Sequence, residues 1–230
     1  MGRQILFTSR KGGVGKSTLA RAMAIALAAE GRKVLLADFD VEQRTCLRWQ
    51  AQRLARHLEP AIDVEKFTKG AKLDRVAHRY DDVVLDTPGQ QEALSIDLAT
   101  GSDVIFLPSS FSLDDITPTL TLVEALRAEG VPWSHTAVVF CRTGGAARQG
   151  LHARSILQMN SIPALDAALP QRDGFVPLFA TGRTGREAPN AALQAIAVAV
   201  DRAMLRFIET AMSDPDEAGP RKPMDRGAIA

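Results

Sequence analysis

The run Lys11-Gly12-Gly13-Val14-Gly15-Lys16-Ser17-Thr18 constrains this chain more tightly than any other part of it. It follows a short apolar segment, residues 4–8, that reads as a strand. It opens an Ala/Leu-rich segment, residues 17–30, that reads as a helix closed by Gly31. A glycine-rich turn in that setting suits phosphate. Gly12, Gly13 and Gly15 let the backbone curl so that successive N–H groups converge on phosphate oxygens. The helix N-terminus adds partial positive charge. Lys16 then reaches the β- and γ-phosphates of a nucleoside triphosphate, and the Ser17 hydroxyl is a ligand for Mg²⁺.

The remainder alternates in the same rhythm. Residues 33–38, 82–86, 103–108 and 136–141 are apolar strands, residues 63–67 an edge strand and residues 163–169 a short extended piece. Helical stretches fall at residues 45–58, 71–79, 90–99, 114–129, 146–159 and 190–212. Strands that are apolar throughout need cover on both faces. The class is therefore α/β: a doubly wound, mostly parallel sheet with helices on both faces, of P-loop NTPase type. Residues 1–212 form one domain, and residues 213–230, rich in Pro, Gly and charge, read as a disordered tail.

Strand-end carboxylates should meet the loop. Asp38 and Asp40 close the second strand, on the sheet edge where ligands bind in such folds. Either has a structural alternative, capping the helix that follows. Asp86 closes another apolar strand ahead of Thr87-Pro88-Gly89, the Walker B position that holds Mg²⁺ directly or through water. Pro88-Gly89 then offers a bend that senses the γ-phosphate.

Bulk properties exclude several classes. A formal charge of +1 means that any affinity for nucleic acid must come from a local patch. Cys46 and Cys141 stand far apart with no C-x-x-C pair, as expected of unlinked thiols in a reducing compartment. The longest apolar run, residues 22–29, is too short to span a bilayer, and the expected location is cytoplasmic.

Lys11 is the more informative lysine. A standard loop begins G-x-x-x-x-G-K, but Arg10 holds the first glycine position and Lys11 adds an ammonium group at the loop's mouth. From there it reaches outward, toward a nucleotide held by a facing subunit, unless it is simply a solvated charge. The string resembles the deviant Walker A signature of the ParA/MinD family of ATPases, and the likeness runs from residue 4 to about residue 212. That resemblance implies ATP as substrate, with Lys11–Thr18 binding it, and a dimer formed on ATP binding in which Lys11 crosses to the partner's phosphates. It implies that Asp40 orients the attacking water and that Asp38 is a metal or loop partner, so Lys11, Lys16 and Asp40 are catalytic and Ser17, Asp38, Asp40 and Asp86 metal-associated.

Arg142, where family members often carry Asn, either stacks on the base or contributes nothing; Pro170 belongs to the segment 169–175 that resembles the region after the family's last strand. With no N-terminal helix-turn-helix ahead of the loop, the chain looks most like short ParA partition proteins and related accessory ATPases of DNA transfer. Such proteins bind nucleoid DNA nonspecifically, and a DNA-binding or cargo adaptor protein stimulates their hydrolysis. Between residues 142 and 206, eight arginines face four acids, which suits phosphate-backbone contact or else a solvated surface. The alternatives are a positioning ATPase for a protein cargo and a MinD-like membrane cycler. The Pro-rich tail speaks against the second.

Overall fold

A computed structural model describes residues 2–144 and 147–213. In chain order it contains β1 (Arg3–Phe7), α1 (Lys16–Ala29), β2 (Val34–Asp38), α2 (Thr45–Ala55), β3 (Asp63–Lys66), α3 (Gly70–Ala77), β4 (Asp82–Asp86), α4 (Glu92–Thr100) and β5 (Val104–Ser109). There follow α5 (Leu113–Ala128), β6 (Thr136–Thr143), α6 (Ala147–Met159), β7 (Ala164–Pro170), α7 (Val176–Ala180) and α8 (Ala191–Met212). The predicted tail lies outside the described residues, apart from Ser213, as does Ala146, the predicted start of the sixth helix. No described helix is long and apolar enough to cross a membrane.

The strands form one sheet in the order β3-β2-β4-β1-β5-β6-β7, every neighbouring pair parallel. Residues alternate between two cores. Ile5 and Phe7 join α1, α2, α7 and α8 on one face, and Leu6 joins α3, α4, α5 and α6 on the other. This is why the central strands read as continuous apolar runs: a strand covered on both sides has no polar face to show. Gly31, at φ 81°, supplies the left-handed stop predicted for α1.

The extended piece predicted near residues 163–169 is a full sheet strand, β7, paired with β6 through two register shifts. The short helix α7 had no counterpart in the sequence reading. Chain direction matters most for function. From β1 the chain winds one way to β2, and after β4 it crosses to β5 on the other side of β1. The loops after β1, β2 and β4 therefore converge at the crevice where the order reverses.

The segment after α7 is tied down by a buried guanidinium. Arg53, 2% exposed, donates from Nε and Nη2 to the Pro60 carbonyl, and from Nη1 to the Gly182 carbonyl at 3.1 Å and Glu187 Oε1 at 2.7 Å. Trp49 Nε1 adds a bond to the Arg183 carbonyl at 3.1 Å. Gly182 permits the approach: a Cβ there would lie 2.4 Å from the Arg53 nitrogen. Arg53→Ala strands Glu187 beside buried carbonyls and should cost about 3–5 kcal/mol in urea unfolding, with Arg53→Lys recovering little.

Asp201 of α8 supplies a pH handle. It is buried, 3.6 Å from Arg186 Nε, and burial pushes its carboxyl up to about 7, with Arg186 opposing. A carboxyl raised in the folded state contributes stability that is complete below its ordinary range, near pH 4, and lost as pH rises through about 7. Thermal melts of Asp201→Asn should lack that decline and give the more stable protein at about pH 8.

Candidate nucleotide site

The loop after β1 is clamped from two sides. Gly15, the residue before α1, takes φ 109°, and a Cβ on it would fall 2.6 Å from Cys141 Sγ. That close approach seats the end of β6 directly on the loop, where the Cys141 thiol donates to the Val14 carbonyl. Burial pushes this thiol up to about 12, so it acts as a neutral donor and a packing group. On the other side, a Cβ on Gly89 would meet the Gly12 backbone at 3.0 Å. The bend after β4 thus rests on the loop.

Lys16 is 6% exposed and curls back along the loop, donating to the Lys11 carbonyl at 2.8 Å and Ser9 Oγ at 3.0 Å. Burial lowers its pKa, while the charges of Asp86 and Asp40 work the other way. An ammonium group held by two neutral acceptors is short of negative charge. A phosphate would supply it.

The aspartates divide their work. Asp38 Oδ2 accepts from the Cys46 and Leu47 nitrogens at 3.1 and 3.4 Å, and Oδ1 from the Asp40 nitrogen at 3.0 Å. Of its two sequence readings, helix anchoring is the one this geometry displays. Burial first, then the Asp86 charge, push its carboxyl up to about 6. Asp40 Oδ1 accepts from the Gln43 nitrogen at 2.9 Å, and its side chain lines the cavity above.

Asp86 is fully buried. Its Oδ2 accepts from Cys46 Sγ at 3.1 Å, and its Oδ1 has no hydrogen-bond partner among the described residues. Burial pushes this carboxyl up, with the Ser17 hydroxyl, the Cys46 thiol and the charges of Arg21 and Lys16 drawing it partly back. An orphaned carboxylate oxygen at such a depth calls for a cation. The donor set fits Mg²⁺, which takes oxygen ligands, keeps several waters and leans on one or two carboxylates plus substrate phosphates. No described group of three or more His, Cys, Asp or Glu side chains could cage a metal without such help.

Above these groups opens a cavity of about 420 Å³. Gly12, Gly13, Gly15, Lys16, Ser17 and Thr18 line its floor together with Asp40, Thr87 and Gly89. Pro170 and Arg142 are on its wall. Val14 is buried beneath the loop and faces an adjacent depression instead. Arg142 takes φ 53°, rare for a residue with a side chain, and donates to the Gly13 carbonyl.

The sequence reading missed the apolar wall made by Leu169, Phe175, Val176 and Phe179. It also missed Thr45, whose hydroxyl donates to Ser17 Oγ at 3.1 Å. The spacing 175, 176, 179 is helical, but α7 has five residues, too few for a period to show.

Lys11 stands apart from all of this. Its side chain is 42% exposed, lines the adjacent depression and pairs with Asp115 Oδ1 at 3.0 Å. The two lysines thus have opposite settings, one enclosed by the loop and one on its outer side. Lys16→Met should weaken triphosphate binding about tenfold or more in fluorescent-nucleotide titrations, the scale of a lost charge-assisted contact.

Comparison with known proteins accords with this geometry. Residues 5–184 match the family described as CbiA, the CobQ/CobB/MinD/ParA nucleotide binding domain. Protein virC1 of Rhizobium rhizogenes is 27% identical over 189 residues, 77% of this chain and 80% of that protein. Septum site-determining protein MinD from Pyrococcus horikoshii OT3, solved with Mg-ADP, superposes with a TM-score of 0.68 at 18% identity, covering 96% of this chain and 99% of that one. A putative plasmid partition protein from Borrelia burgdorferi B31, bound to AMPPNP, gives 0.67 at 16% identity over 89% of this chain and 98% of its own. The structural likenesses concern the fold; the family match covers most of the sequence, and this chain belongs to the CobQ/CobB/MinD/ParA family of nucleotide-binding domains.

Proposed function

We propose that this protein is an ATP-hydrolysing switch that dimerises around ATP, binds DNA without sequence preference in that state, and serves in partition or positioning of DNA. One observation carries the reading: the exposed Lys11 lies outside its own nucleotide cavity, where a second subunit can meet it. The MinD and partition-protein likenesses support the same direction.

In this reading Lys16 and the loop N–H groups hold the β- and γ-phosphates, and Lys11 of the partner subunit adds charge from outside. Asp40, at the cavity edge, orients a water against the γ-phosphorus. Water's oxygen bonds to phosphorus as the bond to the β–γ bridging oxygen breaks; one water proton stays on the product and the other passes to solvent, giving ADP and hydrogen phosphate. Ser17 and Asp86 would hold Mg²⁺, which when bound offsets charge on the phosphate oxygens. Asp38 keeps the turn carrying Asp40 in place. The wall of Phe175, Val176 and Phe179 offers the base an apolar surface.

For DNA, the eight arginines between residues 142 and 206 are not equivalent. Arg154 is committed to the Leu165 and Asp166 carbonyls, and Arg186 to Asp201. Arg142, Arg148, Arg172, Arg202 and Arg206 are exposed, the last two one turn apart on α8.

Two measurements test the proposal. With ATP and Mg²⁺, light scattering of Asp40→Ala should report a stable dimer; a monomer at saturating nucleotide contradicts the reading. Binding to random duplex at about 50 mM salt should fall steeply as salt rises, and Arg202→Ala with Arg206→Ala should reduce the log–log slope by about 2. Absence of DNA binding at low salt would move the reading to a protein cargo held by the same switch.

A further inference from the structure

Asp38 and Asp86 end neighbouring strands and are partners in the β2–β4 register, so two buried carboxylates lie side by side at the sheet edge. Cys46, the second residue of α2 and fully buried, meets both. Its backbone nitrogen donates to Asp38 Oδ2 at 3.1 Å, and its thiol donates to Asp86 Oδ2 at 3.1 Å. The first bond belongs to the helix start. Arg44, the residue before α2, takes φ 49° and gives no side-chain cap, so Asp38 receives the free nitrogens of Cys46 and Leu47 instead. The thiol bond adds nothing to that anchor. Its partner is the other carboxylate, and what it fixes is the orientation of Asp86.

Asp86 is left with one oxygen occupied and one open. The thiol takes Oδ2, while Oδ1 is buried with no hydrogen-bond partner among the described residues. Thr45, the residue before Cys46, makes the matching contact on Ser17, donating its hydroxyl hydrogen to Ser17 Oγ at 3.1 Å. The first turn of α2 therefore presents one side chain to each of the two groups suited to hold Mg²⁺. A carboxylate can grip a cation through one oxygen or through both. Ca²⁺ takes the larger number of oxygen ligands and often uses both, whereas Mg²⁺ demands a tight octahedron and keeps several waters.

We infer that Cys46 is a specificity-determining positioning residue: its thiol occupies Asp86 Oδ2, restricts that carboxylate to one metal-facing oxygen, and so selects Mg²⁺ over Ca²⁺ beside the bound triphosphate. The inference rests on the metal role proposed above for Asp86 and Ser17, and adds its selectivity. Contacts that orient a metal ligand from behind are worth about 10–100-fold in metal affinity.

The test uses the full chain and a fluorescent, non-hydrolysable ATP analogue, titrated in EDTA, in Mg²⁺ and in Ca²⁺. In wild type, Mg²⁺ should strengthen binding more than Ca²⁺ does. Cys46→Ala frees Oδ2, and the ratio of the Mg²⁺ to the Ca²⁺ affinity should fall about tenfold while the affinity in EDTA stays unchanged. Cys46→Ser keeps a donor and should keep the ratio. Equal wild-type preference for the two ions overturns the inference, as does an unchanged ratio in Cys46→Ala or a ratio lost equally in Cys46→Ser. A loss in EDTA as large as that in Mg²⁺ would be the mark of packing alone and overturns it too.

The infrared S–H stretch reads the same bond without relying on Cys46→Ala. The chain has two cysteines, and the band that vanishes in Cys46→Ser belongs to Cys46. In wild type that band should persist when the Mg²⁺ complex of the analogue forms; its disappearance would make the sulfur itself a ligand and overturn the inference. A wild type whose nucleotide affinity neither metal alters overturns the metal role of Asp86 instead, and the selectivity falls with it.

Discussion

The site depends on one enclosed ammonium group. Lys16 sits at the first residue of α1, against the central strand of the sheet, with a carbonyl and a hydroxyl as its hydrogen-bond partners among the described residues. Holding a cation there requires the loop to keep one shape, and the surrounding strand ends do that. Gly89 rests on Gly12, Cys141 fills the space beside Gly15, and Arg142 grips the Gly13 carbonyl. The carboxylates follow from the same demand. Asp86 and Asp40 answer Lys16 electrostatically, and the open valence of Asp86 Oδ1 fits a metal beside Ser17.

Set against this enclosed lysine, Lys11 gives the chain two possible electrostatic arrangements. One is internal, with the ammonium on Asp115; the other belongs to the proposed dimer, with the ammonium on a facing subunit's phosphates. A switch needs two states close enough in free energy for a ligand to choose between them. A partly exposed ion pair of modest strength is suited to that, because a buried one would be too costly to break. In the proposed dimer, nucleotide binding and association would be linked through this one side chain.

Much of this was legible in the chain itself. The phosphate loop, the strand-end aspartates and the α/β rhythm are all local signals, and a parallel sheet preserves them as apolar runs. What was not legible depends on geometry between distant parts. β7 reads weakly because, as an edge strand, it mixes buried Leu165 and Leu169 with exposed Asp166. Asp38 offered two roles from one position, and only the path of the turn to Cys46 puts its oxygens on backbone donors. The left-handed conformation of Arg142 leaves no mark in a sequence when the residue is not glycine. The Phe175–Phe179 wall and the Lys11–Asp115 pair are set by tertiary approach, the latter across 104 positions of chain.

The claim most exposed to refutation is that Lys11 serves the other subunit's nucleotide. Mixing Lys11→Ala with Asp40→Ala tests it directly, since each alone should hydrolyse little ATP. A mixed dimer pairs the intact Lys16 and Asp40 of one subunit with the intact Lys11 of its partner. The account predicts recovery to about a quarter of wild-type turnover in an equal mixture, half the dimers being mixed with one complete site of two. No recovery, with mixed dimers shown to form, would place Lys11 in cis and contradict it.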